Sequence, residues 1–199
     1  MSDKIAEALN SLYKDIEAVG KSFYTDNISE MIKNAGKNKP KKAIYSAAFL
    51  DEGSREDLYN WWKMHVKEEL LARVPKHSHM TIKFKPSKEE VLSLPIGESD
   101  DKYVRIIGFA SDENGQAVMV EPSDKSFSRQ DEGIAHITIS TAEDVGFVYS
   151  NELLQRGVEQ VRSGPELRVK VGLFLTNQKV VHDLEGTIYQ EEEEIEVKI

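Results

Sequence analysis

At the start of the chain, apolar residues recur at helical spacing. Ile5, Leu9, Leu12, Ile16, Val19 and Phe23 follow alternating steps of four and three, the heptad spacing of a coiled-coil seam. The pattern predicts a helix over 3–33, with Gly20 and Tyr24-Thr25-Asp26-Asn27 as a break. Two uses of it stay open: docking on its own domain, or self-association of the chain into a homo-oligomer. The run from Asn34 to Lys42 is basic and rich in helix breakers. It separates an N-terminal helical extension and linker (1–40) from a main domain (41–199).

Beyond that boundary the periodicity alternates between two and 3.6. Ala43–Leu50 reads as a strand. Asp51-Glu52-Gly53 reads as a turn, and Ser54 as the cap of a helix carrying Leu58, Trp61, Trp62, Val66 and Leu70. Adjacent tryptophans do not fit one narrow stripe, so one is expected in the core and the other facing the linker or the N-terminal helix. A strand is expected over His79–Phe84 and a short helix over Ser87–Leu94. Asn114-Gly115 marks a hairpin between strands Val104–Ala110 and Ala117–Glu121. A polar loop over Pro122–Gly133 leads to a strand over Ile134–Ser140. A helix follows from Tyr149 to Arg156, then strands over Leu167–Leu175, Lys179–Leu184 and Glu185–Tyr189. Ile195–Ile199 has the alternation of an edge strand. This mixture, with antiparallel hairpins, predicts an α+β fold.

Two of the strands carry the same text. His79-Met80-Thr81-Ile82 and His136-Ile137-Thr138-Ile139 both read His, apolar, Thr, apolar. Side chains alternate across a strand, so each motif presents an imidazole and a hydroxyl on one face above an apolar underside. Two imidazoles on one cleft can act as acid and base on a phosphodiester, one taking a proton from water and the other giving one to the leaving oxygen. Thr81 and Thr138 would donate hydrogen bonds to the non-bridging oxygens. By parity, Lys83 adds a cation beside His79 and Thr81, and Ser140 joins His136 and Thr138. His77 shares a face with His79, and such a pair can ligate a metal, but no further ligands stand out and none is expected. His65 and His182 read as structural or surface residues.

Composition narrows the partners. The chain has 199 residues, 39% of them hydrophobic and 31% charged, with no cysteine. Disulfides, thiolate metal sites and cysteine nucleophiles are therefore excluded. The net charge of −9 argues against long duplex nucleic acid, whose binding needs a basic footprint. It leaves room for a small nucleotide or an RNA end. No apolar run is long enough for a membrane span. Met1-Ser2-Asp3-Lys4 lacks a signal-peptide pattern, so a cytoplasmic location is expected.

The paired motifs resemble those of the 2H phosphoesterase superfamily, which includes RNA-ligase-like and tRNA-ligase-type cyclic phosphodiesterases and phage members. The likeness runs in order from about Ala43 to Tyr189, and Val148–Leu154 also looks like the tRNA-ligase-type and phage members. It implies a bilobal fold, two pseudo-symmetric lobes whose antiparallel sheets line a central cleft. It implies His79, Thr81, His136 and Thr138 as catalytic residues and a hydrolase without metal or cofactor. It also implies aromatic residues that stack a base, here Tyr45, Tyr149 or Phe84, although parity assigns Phe84 to the core. Members open 2′,3′-cyclic phosphates, cleave 2′-5′ oligoadenylates or degrade cyclic oligonucleotide messengers. The last group includes phage proteins that counter nucleotide-based immunity. The alternative reading is a binding module that captures a nucleotide or RNA end in the same cleft without cleaving it.

Overall fold

Backbone contacts divide the chain into Met1–Pro40 and Lys41–Ile199. The computed structural model describes residues 41–97, 101–131, 133–184 and 187–188. The expected N-terminal helical extension and the strand over Ile195–Ile199 lie outside the described residues.

Six strands dominate the second unit: β1 (Lys41–Leu50), β2 (His79–Phe84), β3 (Tyr103–Ser111), β4 (Gly115–Pro122), β5 (His136–Thr141) and β7 (Glu166–Leu175). Short strands β6 (Glu159–Gln160), β8 (Val180–Val181) and β9 (Thr187–Ile188) pair with β3, β7 and β1. The helices are α1 (Glu52–His65), α2 (Lys88–Leu92) and α3 (Tyr149–Arg156).

The expected bilobal α+β fold is not what forms. Strands β7-β1-β2 make one half and β3-β4-β5 the other, but β2 pairs with β5 and β3 pairs with β7. These two seams join the halves on both sides into one closed, six-stranded antiparallel barrel. Closure satisfies the backbone donors and acceptors that two separate sheets would leave at their edges.

Alternation decides what fills the barrel. Met80, Ile82, Val104, Ile106, Val118, Val120, Ile137, Ile139, Leu167 and Val169 form one core cluster, with Phe127 from the β4–β5 loop. Helix α1 adds Leu58, Trp61 and Trp62 to it. Both tryptophans are buried, Trp61 at 6% and Trp62 at 1% exposure, so the expectation of one outward ring fails. The reason is Phe109 on β3, which meets both indoles edge-on at 6.3 and 5.9 Å. The helix also starts earlier than Ser54. Asp51 is its N-cap, accepting from Ser54 N at 2.6 Å, while Ser54 Oγ accepts from Arg168 N at 2.7 Å. Helix α2 starts on a complete capping box of Ser87 and Glu90. Helix α3 packs Leu153 and Leu154 on Ala110 and Ala117 at the outer surface of β3 and β4.

Candidate active site

With Met80, Ile82, Ile137 and Ile139 turned into the barrel, the histidines and threonines of both motifs stand on its outer surface. Strands β2 and β5 are antiparallel neighbours in which Met80 pairs with Ile137. Counting outward from that pair in the antiparallel direction puts His79 on the side of Thr138 and Thr81 on the side of His136. The two imidazoles therefore lie on one diagonal of the four residues and the two hydroxyls on the other. All four line one cavity of about 290 Å³.

The two histidines are held alike. His79 Nδ1–H donates to the carbonyl of His77 at 2.8 Å, and His136 Nδ1–H to that of Ile134 at 2.7 Å. A neutral imidazole that donates through Nδ1 keeps Nε2 as an acceptor. Each ring thus offers Nε2 for chemistry. Tyr45 stacks on His79 at 4.9 Å and in turn on Phe174 at 5.0 Å, and Phe49 lies against the same imidazole.

Burial sets the charge state. Desolvation lowers the pKa of His79 and that of His136, the latter pushed down to about 4, with Arg129 and His79 adding repulsion. His77 is also lowered, by desolvation and by Lys76 and Arg55. Burial raises the Tyr45 phenol to about 12.

Parity fails just past each threonine. Ser46 and Ala47 are consecutive on β1 but face Lys83 and Thr81 on β2, and Gln116 and Ala117 on β4 face Ser140 and Thr138 on β5. Ile82 and Ile139 are thus the extra residues of two β-bulges at equivalent places. A bulge reverses which face the following residues take. Lys83 accordingly leaves the cavity lining and pairs with Glu90 at 3.0 Å. Ser140 is buried, donating to Gln116 Oε1 at 2.5 Å and accepting from Leu71 N at 3.0 Å. Phe84, assigned to the core by parity, is instead 56% exposed and lines the cavity. Tyr45 supports His79 rather than lining the cavity. Tyr149 also lies outside the lining, its hydroxyl donating to Asp112 at 2.6 Å.

The bulges also dock the segments that border the site. The Ile82 carbonyl accepts from Gln130 N at 2.9 Å, which fastens the loop bearing Arg129 and Asp131 to β2. Arg73 bridges to Thr141 past the other bulge and leads Pro75 and His77 to the cavity. The Arg129 side chain is 12% exposed. Its guanidinium grips the Asp131 carboxylate through Nε and Nη2, and Nη1 donates to the Ile134 carbonyl at 2.8 Å. That carbonyl also receives His136 Nδ1–H, so the 3.2 Å approach of Arg129 to His136 is between two donors sharing one acceptor. Arg129 holds the Asp131 carboxyl below its usual range.

Arg129, Asp131, Phe147 and Asn151 line the cavity and were not singled out in the sequence. The only signal for the first two was an Arg-x-Asp pair in the turn entering the second motif. Asn151 keeps a buried Oδ1 with no hydrogen-bond partner among the described residues, while its Nδ2 donates to the Val148 carbonyl at 3.0 Å. Thr138 Oγ1 and Ser150 Oγ share a hydrogen bond of 2.9 Å. Replacing the buried Ser150 with Ala removes that bond at a cost of about 1 kcal/mol. A fall in melting temperature of about 2–4 °C is expected by calorimetry.

Among the described residues, no group of three or more His, Asp or Glu side chains is arranged to hold a metal ion. No helix among them is long and apolar enough to cross a membrane. No family model and no curated protein matches the chain. Among solved structures, the crystal structure of a fungal RNA kinase aligns with a TM-score of 0.45 and 14% identity, over 82% of this chain and 58% of that one. The chain thus spans less than two thirds of that protein's length.

Proposed function

We propose that this chain is a 2H-type phosphodiesterase that hydrolyses a phosphodiester of a nucleotide through His79 and His136. The observation that carries the reading is the quartet His79, Thr81, His136 and Thr138 on β2 and β5, all lining one cavity of about 290 Å³. It brings together two imidazoles, each with Nδ1 tied to a backbone carbonyl.

In the reaction, Nε2 of one neutral histidine takes a proton from water as the water oxygen bonds to phosphorus. Nε2–H of the other, protonated, gives its proton to the ribose oxygen as the P–O bond breaks. The products are a phosphate monoester and a free hydroxyl, and the proton has passed from one imidazole to the other. Thr81 and Thr138 donate to the non-bridging oxygens as negative charge builds. Ser150 holds the Thr138 hydroxyl. The ion pair of Arg129 and Asp131 forms part of the cavity wall. Phe84 offers an exposed ring to a base, and Asn151 Oδ1 offers an acceptor to a ribose hydroxyl or an amino group. The substrate class is a small nucleotide: a 2′,3′-cyclic phosphate, a 2′-5′ oligoadenylate or a cyclic oligonucleotide.

The test is hydrolysis of that panel with a strong chelator present, read by chromatography. Cleavage of at least one member at an undiminished rate is expected. Binding of a panel member without any product over hours would instead make the chain a nucleotide-capturing module.

A further inference from the structure

His77 belongs to two cavities. It lines the one that holds His79 and His136, and it also lines a second, of about 260 Å³, with Arg55, Lys76 and His182. Both cavities are served by one stretch of chain. His77 and His79 border the first, and Lys76, His77 and Ser78 border the second. Lys76 and His79 are three positions apart, a span of at most about 11 Å. Consecutive phosphates of a nucleotide chain lie within that limit.

The second cavity is cationic in a chain whose net charge is −9. Arg55 and Lys76 stand against a single carboxylate, Glu52. Arg55 is steadied by its approach to the Lys76 carbonyl at 3.4 Å and by the Tyr59 ring, 5.9 Å from its guanidinium carbon. The positive potential of Arg55 and Lys76 reaches His77, where both disfavour the imidazolium. His182 Nδ1–H donates to the Val171 carbonyl at 3.0 Å, leaving Nε2 for other partners. Its ring rests edge-on against Phe49, which also touches His79. Arg55, Lys76 and two histidines bordering one hollow are side chains that suit a phosphate group.

We propose that this second cavity binds a second phosphate of the substrate, one nucleoside away from the phosphodiester held by His79 and His136. The inference rests on the phosphodiesterase reading and narrows it. The preferred substrate is an oligonucleotide, linear or cyclic, rather than a mononucleoside cyclic phosphate. Arg55 and Lys76 are specificity residues that touch no reacting atom.

The probe pair is adenosine 3′-monophosphate and adenosine 3′,5′-bisphosphate, which differ by the second phosphate alone. Calorimetric titration of the full chain should show the bisphosphate binding about tenfold more tightly. Arg55→Ala combined with Lys76→Ala should abolish that difference with the melting temperature unchanged, since both side chains are exposed. Equal affinities in the unaltered chain, or a difference that survives in the variant, would overturn the second phosphate site and leave the first cavity's chemistry standing. Failure to bind either probe would overturn the reading of the first cavity, and this inference with it.

Discussion

Replacing either His79 or His136 with Ala lowers turnover of the hydrolysed phosphodiester by about 10²–10⁴-fold. The two substitutions together should cost little more than the worse one alone, because the proposed acid and base act in a single proton relay. The loss should appear in kcat, since neither neutral ring is a main source of affinity. A folding defect is separable from it. His136 is 8% exposed and its removal leaves a hole beside Arg129, so melting temperature is recorded for each variant, and His→Gln variants serve as a bulkier control. A well-folded single variant with the unaltered rate would remove the histidine from the mechanism.

The second large effect is on pH dependence. The proposed relay needs one neutral imidazole and one imidazolium, while burial holds both rings below the ordinary histidine range, His136 at about 4. At neutral pH the free protein therefore keeps both uncharged, and the competent form is a minority. That minority grows about tenfold for each pH unit of acidification until the higher of the pair's two pKa values is reached. Consequently kcat/KM is highest on the acid side of pH ~6.5 and falls about tenfold per unit above neutrality. A bound phosphate anion favours the imidazolium, so kcat stays high to a more alkaline pH than kcat/KM does. The same burial acts on stability with the opposite trend. Below pH ~6.5 the unfolded chain protonates these histidines and the folded chain resists, so their contribution is complete above that pH and is lost as pH falls toward 4. Rate profiles and thermal melts over one pH series check both statements. A rate maximum well above neutrality would contradict the first.

The sequence was informative where local rules act alone. Alternation placed His79 with Thr81 and His136 with Thr138, and Asn114-Gly115 announced the β3–β4 hairpin, where Asp112 accepts from both of their amides at 2.9 Å. The short helix expected from Ser87 does start there, with Ser87 as the N-cap of α2. Alternation misled one residue past each motif, because a bulge at Ile82 or Ile139 is set by a partner strand's register and not by the residues themselves. That single slip accounts for Lys83, Ser140 and Phe84 together. Barrel closure was hidden for a related reason. The β2–β5 and β3–β7 seams join residues far apart in the chain, and nothing local distinguishes a strand that closes a ring from one that borders a lobe. Arg129 and Asp131 were missed because a polar loop reads alike whether it faces solvent or a cavity.

The seam between β2 and β5 has a consequence for how such a protein changes its chemistry over evolutionary time. The proposed acid and base ride on neighbouring strands paired at Met80 and Ile137, so their spacing is set by the sheet and does not drift when surrounding loops are rebuilt. Insertions at the Arg129 turn or before His77 can therefore reshape what is admitted without disturbing the reacting geometry. A scaffold of this kind separates selection for ligand choice from selection for turnover.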